Sequence, residues 1–336
     1  MRAIRTSLLA ALLLFATSAG AQQQFADIGD LELESGEVLE NVQVGYITAG
    51  TLNTDRSNVI VFLTWFTGTA RNLVDAGAIG PGALANTDDY YVIAIDALAN
   101  GVSTSPSNSA AQDAAAFPTI TIGDMVNSQH RLLTEHLDFQ RVHAVIGISM
   151  GGMQAFDWIG RFPDFMVKAV AIDGSLRMTS YDLLAFGARK RIIGVMREAG
   201  HGDVAISSII EHVSQITLRT PEWFVANVSP DELDDFLARD AASVYNSFDY
   251  EAQQGAMVAL DLFGDTDLSR RSWAELVKAD VLIINGSRDH MVNPASAIRA
   301  AQLLDAQSVI NDSNCGHLGN ICEIAAVSAK VQEFLK

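Results

Sequence analysis

Short apolar runs rich in β-branched residues recur along this chain of 336 residues, and turn residues bound each of them. Such runs are typical of strands that are buried on both faces of a sheet. Between several of them, the apolar spacing changes to that of amphipathic helices. Strands alternating with helices predict an α/β fold with a mostly parallel sheet flanked by helices. The predicted strands are 42–50, 58–64, 90–96, 142–148, 168–173, 281–287 and 307–311.

One helix start is marked directly, because Thr121 and Asp124 have the spacing of a capping box. The strand rhythm is interrupted from 176 to 273, where the patterns are helical and no buried strand is evident. An insertion of this length between two core strands most simply forms a helical cap. We therefore expect an α/β core of residues 25–175 and 274–336, with residues 176–273 as the cap, or lid.

The first residues form a separate segment. Arg2 and Arg5 precede an apolar run that is too short to span a bilayer, and Ala19-Gly20-Ala21 follows with the small residues of a cleavage site. We expect residues 1–21 to be a removed signal peptide and the mature protein to be periplasmic or secreted. No later segment is long and apolar enough to predict a membrane span.

Net charge, the absence of phosphate-binding motifs and the cysteine content argue against several classes of ligand. The formal net charge of −18 argues against a nucleic-acid partner, which would need clustered Lys and Arg. No phosphate-binding glycine loop of the dinucleotide or P-loop type is present, and a Cys-based zinc site is not supported, so no cofactor or metal is expected. Cys315 and Cys322 are either a local disulfide or two free thiols.

The candidate nucleophile lies where the strand 142–148 meets the next helix. Gly147-Ile148-Ser149-Met150-Gly151 fits the G-x-S-x-G pattern, in which a serine occupies a sharp turn from strand to helix. Small neighbours are needed there because larger side chains would collide with the adjacent strand and helix. The turn would expose the Ser149 hydroxyl at the C-terminal edge of the sheet, beside a helix N-terminus that favours negative charge.

A serine hydroxyl needs a base, and the base needs an orienting acid, usually in the chain order Ser, Asp or Glu, His. His317 lies in a glycine-containing loop after the strand 307–311 and is the candidate base, with His290 as its nearest rival. Asp289 follows the strand 281–287 and is the candidate acid. Asp280 lies at the wrong end of that strand, and Asp312 is close to His317 in sequence.

Acyl transfer also needs two N–H donors for the oxyanion. Met150, directly after the nucleophile, is expected to supply one. The other should come from the loop after the strand 58–64, where Phe66 is the first choice and Trp65 the second. These two aromatic residues are also candidates for the wall of the acyl pocket, although ordinary packing onto the core would explain them equally well.

Several longer motifs are more specific than the pentapeptide. They are "FTGTA", "GPGALANTDDYYVIAID", "FPTITIGDMV", "GISMGGMQAFDW", "ALDLFG", "SRDHMVNP" and "CGHL". With them the sequence resembles the α/β-hydrolase-fold homoserine O-acetyltransferases and their relatives over most of the mature chain. The resemblance implies Ser149, Asp289 and His317 as the triad, a tunnel under the cap as the active site, and a homodimer through the cap.

The substrate is expected to differ from that of the acetyltransferases. In that family an aspartate follows the catalytic histidine and helps to hold the amino group of homoserine, whereas this chain has Leu318 there. Coenzyme A thioesters belong to the cytoplasm, and the predicted export points away from them. We therefore expect hydrolysis of a small-molecule carboxylic ester, with acyl transfer from acyl-CoA to an alcohol as the alternative. A non-catalytic binding protein on the same scaffold is a third hypothesis.

Overall fold

The computed structural model describes residues 22–240, 244–264 and 266–336, and the predicted signal peptide, residues 1–21, lies outside them. Ten strands are present in these described ranges. They are β1 (Gln23–Glu32), β2 (Val38–Ala49), β3 (Val59–Leu63), β4 (Ile79–Gly80), β5 (Ala85–Asn86), β6 (Tyr91–Ile95), β7 (Val142–Ile148), β8 (Met166–Ile172), β9 (Asp280–Gly286) and β10 (Gln307–Asn311).

Eight of these strands form one sheet in the order β1-β2-β6-β3-β7-β8-β9-β10, and β4 pairs only with β5. Strands β6, β3, β7, β8, β9 and β10 run parallel, while β1 and β2 form an antiparallel hairpin that joins them at β6. The predicted mostly parallel α/β sheet is therefore confirmed. Strand β1 was not predicted, because its polar and apolar residues mix without the continuous apolar run of a buried strand.

The sheet separates two layers of core. In β3 the side chains of Val59, Val61 and Leu63 join the cluster on one face, while Ile60 and Phe62 join the cluster on the other. All five are fully buried. This alternation follows from the two-residue period of a strand, and it explains why the strand sequence is apolar throughout.

Twelve α-helices lie in the described ranges. They are α1 (Ala70–Asp75), α2 (Ile122–Arg131), α3 (Met150–Arg161), α4 (Ser180–Glu198), α5 (Asp203–Leu218), α6 (Pro221–Asn227), α7 (Leu233–Asp240), α8 (Ser247–Ala259), α9 (Asp267–Leu276), α10 (Ala295–Leu304), α11 (Gly319–Cys322) and α12 (Ile324–Leu335). At the start of α2, Thr121 and Asp124 form the predicted capping box. Helices α2 and α3 cover one face of the sheet, and α1 and α12 cover the other.

Helices α4 to α9 follow β8 in the chain and precede β9. Helix α4 packs on α5 and α8, and its Phe186 is fully buried and joins the core cluster on the α3 face of the sheet. This helical region therefore packs against the end of the sheet at which Ser149 follows β7. Among the described helices, none combines the length and the apolar character that crossing a membrane would need.

Candidate active site

Ser149 is held between β7 and α3 in an unusual backbone conformation. Its φ is 58° and its ψ is −119°, a backbone conformation that residues other than glycine rarely adopt. Its N–H donates to the carbonyl of Ile172 at the end of β8, at 2.8 Å. A Cβ on Gly147 would collide with the carbonyl of Gly151, and a Cβ on Gly151 would collide with that of Leu63. The two glycines are therefore required by the close approach of strand and helix.

Three of the predicted site residues meet at this turn. The Oγ of Ser149 lies 2.9 Å from Nε2 of His317, and the Nδ1 of His317 lies 2.6 Å from Oδ2 of Asp289. With Nδ1–H donating to the carboxylate, Nε2 is free to accept the hydroxyl proton. All three side chains are buried. Ser149 and His317 are 168 residues apart in the chain and are brought together by the fold. This arrangement can generate a serine nucleophile.

The carboxylate of Asp289 is fixed by its own loop. Its Oδ1 accepts the backbone N–H groups of Met291 and Val292, both at 2.8 Å, which leaves Oδ2 for the histidine. This turn forms because a short acidic side chain can bond the backbone two and three residues further along. The acid is therefore held in position before any substrate binds.

The rival residues lie elsewhere. The Oδ1 of Asp312 is bonded to Nε of Arg288 at 2.8 Å on the surface, and Asp280 is exposed at the start of β9. The ring of His290 packs edge-on against Tyr181, with 6.3 Å between centroids. Within the described ranges, no group of three or more His, Cys, Asp and Glu side chains is arranged to hold a metal ion.

The pKa of His317 is raised above the usual 6.5. Burial alone would lower this pKa, because a charged imidazolium loses its hydration. The negative charge of Asp289 and its hydrogen bond outweigh that effect, and the charge of Asp173 adds to them. A raised pKa favours proton uptake by this ring, as a general base requires.

The two residues predicted to supply the oxyanion donors, Met150 and Phe66, lie directly after Ser149 and in the turn after β3. Met150 is the first residue of α3, so its N–H has no acceptor within the helix. Phe66 lies in the turn after β3, where its ring packs against Tyr250 with 4.6 Å between centroids. The N–H of the next residue, Thr67, donates to Oε1 of Gln253 in α8 at 2.8 Å, which ties this turn to the helical region.

A cavity of about 380 Å³ opens over Ser149 and His317. Its wall is mainly apolar and includes three residues singled out from the sequence, namely Trp65, Phe66 and Leu318. The remaining lining residues are Thr67, Ala76, Ile148, Glu211, Ser214, Leu218, Tyr245, Tyr250, Met291 and Ile321. Sequence reasoning missed Glu211 and the two tyrosines, because contacts between the inserted helices and the core leave no periodic signal.

A disulfide between Cys315 and Cys322 encloses the segment that carries the histidine. The sequence alone does not decide between this disulfide and two free thiols. Between the two cysteines lie His317 and the cavity residues Leu318 and Ile321. The bridge limits the freedom of this short segment, most strongly in the unfolded chain. The cross-link thus acts on the part of the molecule that positions the imidazole.

The geometry makes a prediction about pH and the acid residue. A base must be neutral to accept a proton, so kcat/KM for p-nitrophenyl acetate should fall as the pH drops through the raised pKa of His317, above 6.5. Asp289→Asn should lower kcat by about 10³- to 10⁴-fold, because the amide favours the wrong tautomer. Steady-state kinetics across pH measure both effects.

Asp312→Asn is the matched control, since that carboxylate bonds Arg288 at the surface and should leave kcat unchanged. Equal losses in the two variants, or an acid limb at or below pH 6.5, would contradict this assignment.

Comparisons with known proteins agree with the fold. Residues 60–191 match a family model described as the alpha/beta hydrolase fold. The structure of an acetylester hydrolase from Corynebacterium glutamicum superposes with a TM-score of 0.85 and 26% identity, over 94% of this chain and 96% of that one. A protein of the same species named as a probable esterase is 40% identical over 161 residues, which span 47% of this chain and only 46% of that relative.

A longer match identifies the family. A homoserine O-acetyltransferase of Geotalea daltonii is 30% identical over 353 aligned positions, which cover 91% of this chain and 95% of that protein. This alignment extends over the core and the inserted helices alike. The chain therefore belongs to the homoserine O-acetyltransferase family of the α/β-hydrolase fold.

Proposed function

We propose that this protein is an exported serine hydrolase that cleaves a small carboxylic ester through Ser149, His317 and Asp289. The observation that carries the proposal is the position of His317, which lies within hydrogen-bond distance of both other residues at the floor of the cavity. The same three side chains are the ones expected from their order in the sequence.

In the first half-reaction, Ser149 Oγ attacks the ester carbonyl while Nε2 of His317 takes the hydroxyl proton. Asp289 keeps the ring oriented and stabilises the imidazolium that forms. The N–H groups of Met150 and Phe66 stabilise the negative oxygen of the tetrahedral intermediate. His317 then gives its proton to the departing alkoxide oxygen, the C–O bond breaks, and an acyl-enzyme and free alcohol remain.

In the second half-reaction, water enters the site and loses a proton to Nε2 of His317. The resulting nucleophile attacks the acyl carbonyl, and the same N–H groups again hold the oxyanion. Collapse of this intermediate returns the proton to Ser149 Oγ and releases the carboxylic acid. Atoms balance as one ester and one water giving one acid and one alcohol.

The size and lining of the cavity support a short acyl group. Trp65, Phe66 and Met291 present apolar surface next to Ser149, and the cavity of about 380 Å³ must hold both the acyl and the alcohol portions. The structural relative from Corynebacterium glutamicum is named an acetylester hydrolase. Acetate esters are therefore the first substrates to test.

Acyl transfer to an alcohol is the second candidate, and one observation favours it. The relative that matches nearly the whole chain is named a homoserine O-acetyltransferase. Leu318 supplies no carboxylate for an acceptor ammonium group, but Glu211 brings one into the same cavity, where its Oε1 accepts from Nε2 of Gln215 at 2.5 Å. Glu211 is thus the residue through which an amine-bearing acceptor could be held.

Export is proposed on two grounds. The first 21 residues have the pattern of a signal peptide. The disulfide between Cys315 and Cys322 is of a kind that persists outside the reducing cytoplasm. A periplasmic or secreted location follows from the two together.

A homodimer through the cap is the third part of the proposal. Leu184 is 72% exposed and lies on the same face of α4 as Val195, three turns further along. Ile216 is 71% exposed and shares a face of α5 with Ile209. Large apolar side chains exposed in stripes on neighbouring helices are typical of an interaction surface. A second copy of the chain is the occupant expected from the family resemblance.

Hydrolysis and transfer are distinguished by one pair of assays. The mature protein should hydrolyse p-nitrophenyl acetate, and Ser149→Ala should lower kcat/KM by at least about 10⁴-fold. With acetyl-CoA and homoserine, release of free CoA should not exceed that of Ser149→Ala. Glu211→Gln should leave ester hydrolysis nearly unchanged. CoA release that depends on homoserine, with an acceptor KM that rises in Glu211→Gln, would establish the transferase instead.

Secretion is tested by expressing the full sequence in a Gram-negative host. The protein recovered from the periplasm or medium should begin at Gln22, as read by N-terminal sequencing or intact mass. A variant lacking residues 1–21 serves as the control and should remain in the cytoplasm. Full-length protein beginning at Met1 in the cytoplasm would overturn the export proposal.

The dimer is tested by sedimentation velocity. The wild type should sediment as a dimer, and the double variant Leu184→Glu with Ile216→Glu as a monomer, because buried carboxylates would oppose association. Phe25→Ser is the control, since this exposed apolar residue lies on β1, outside the cap. A wild-type monomer, or a double variant that remains dimeric, would count against this surface.

A further inference from the structure

A second buried carboxyl group, that of Asp173, lies near Asp289 and His317. Asp173 directly follows β8 and is 1% exposed. Its backbone has a φ of 49°, in the left-handed region that residues other than glycine rarely adopt. A buried acidic residue in such a conformation is retained only when its surroundings stabilise it. Its contacts show what those surroundings are.

The carboxylate of Asp173 connects the segment that carries Asp289 with the segment that carries His317. Its Oδ1 accepts the N–H of Gly286, the last residue of β9 and three residues before Asp289, at 2.9 Å. Both of its oxygens accept from Nδ2 of Asn320, at 2.8 and 2.9 Å. Asn320 lies in α11, three residues after His317, and is itself 1% exposed.

The connection continues to β10 and to the elbow. The Oδ1 of Asn320 lies 3.3 Å from Nδ2 of Asn311, the last residue of β10. The N–H of Asp173 donates to the carbonyl of Ile284 in β9 at 2.8 Å. Asp173 also follows Ile172, whose carbonyl accepts the N–H of Ser149. One side chain and its backbone thus link the ends of the strands from which the whole triad is built.

The carboxylate also acts through its charge. Burial, and then the charge of Asp289, raise the pKa of Asp173, while the charge of Asp173 in turn helps to raise the pKa of His317. The other charged groups that act on this cluster come from α4. Arg189 lowers the pKa of His317, and Asp182 interacts with Asp289.

We propose that Asp173 is a positioning residue for the reaction: together with Asn320 it clamps the acid-bearing and histidine-bearing segments to the end of β8, with its carboxyl group beside Asp289 and His317. This inference rests on the proposed serine hydrolase function and extends it to a residue that does not touch the substrate. It also gives a reason for a buried carboxyl group at a position where a neutral side chain would suffice for a purely structural role.

Three variants separate the clamp from the charge. Asp173→Asn removes the charge of residue 173 and places a second amide NH₂ group opposite Nδ2 of Asn320. Asn320→Ala removes the hydrogen bonds of the clamp and keeps the charge of Asp173. The double variant Asp173→Asn with Asn320→Asp restores a donor–acceptor pair and returns a negative charge to the cluster. For each one, kcat and KM for p-nitrophenyl acetate are measured across pH, and the titration of the His317 imidazole is followed by NMR.

Asp173→Asn should lower kcat by about 10- to 100-fold with little change in KM, because Asp289 and His317 are displaced from their positions while the cavity is intact. Its acid limb and the His317 titration should move to lower pH, since a negative charge that favours the imidazolium is lost. Asn320→Ala should lower kcat without that downward move. The double variant should recover kcat to within a few-fold of the wild type.

Asp96→Asn is the matched control. Asp96 is also fully buried and also accepts only N–H donors, from Ala70 at 2.7 Å and from Asn100 and Gln23 at 2.9 Å each. Its charge is not among those that act on His317. This variant should lower the thermal unfolding midpoint and leave the His317 titration unmoved.

A folded Asp173→Asn variant with wild-type kcat or an unmoved His317 titration would overturn the inference, and so would a folded Asn320→Ala variant with wild-type kcat. If Asp173→Asn fails to fold, Asn320→Ala still tests the clamp through kcat, and the double variant tests the charge, because the carboxylate returned at position 320 should keep the His317 titration from moving to lower pH. The NMR titration needs no substrate. A wild type that hydrolyses no ester would therefore defeat the proposed function, whereas an unmoved titration would defeat only the role of Asp173.

Discussion

The hydrogen bond between Ser149 Oγ and His317 Nε2 is the interaction on which the rest of the site depends. It requires the hydroxyl to project from the C-terminal edge of the sheet, and this in turn requires the strained backbone of Ser149 between two glycines. The close packing of α3 against the ends of β3 and β8 stabilises this backbone conformation of Ser149 and offsets its strain. The fold thus holds in place a conformation that an isolated peptide would rarely adopt.

The same sheet edge brings the other parts together. Asp289 follows β9, Asp173 follows β8, and His317 follows β10 after a short loop. Because the carboxyl ends of parallel strands meet at one edge, residues distant in the sequence become neighbours there. Backbone N–H groups then fix the two carboxyl groups, since those of Met291 and Val292 donate to Asp289 and that of Gly286 donates to Asp173. The site is consequently preorganised, which would lower the activation free energy of the proposed ester hydrolysis.

Much of this was predictable from the sequence, for identifiable reasons. The apolar runs of β3 and β7 to β10 predict buried strands, and the glycines around Ser149 predict the elbow. The chain order Ser, Asp, His favours Ser149, Asp289 and His317 as the triad, with His290 as the nearest rival for the base. Strand β1 escaped prediction because an edge strand of a hairpin carries polar residues such as Gln23 and Asp27 among its apolar ones.

Residues that act through tertiary contacts were not predictable in the same way. Glu211 reaches the cavity only because α5 lies over the sheet, and no local pattern encodes that placement. Asp173 did leave a signal, since it follows a buried strand at the same edge as Ser149 and Asp289. The disulfide between Cys315 and Cys322 depends on the fold of one short loop, which their spacing alone does not determine.

The most direct measurement of the central claim is the covalent reaction of the mature protein with a fluorophosphonate probe, read by intact mass and peptide mapping. The account predicts one adduct per chain, located on Ser149, and a strongly reduced labelling rate in His317→Ala. Labelling at another residue, or equal labelling rates in the wild type and in His317→Ala, would contradict it.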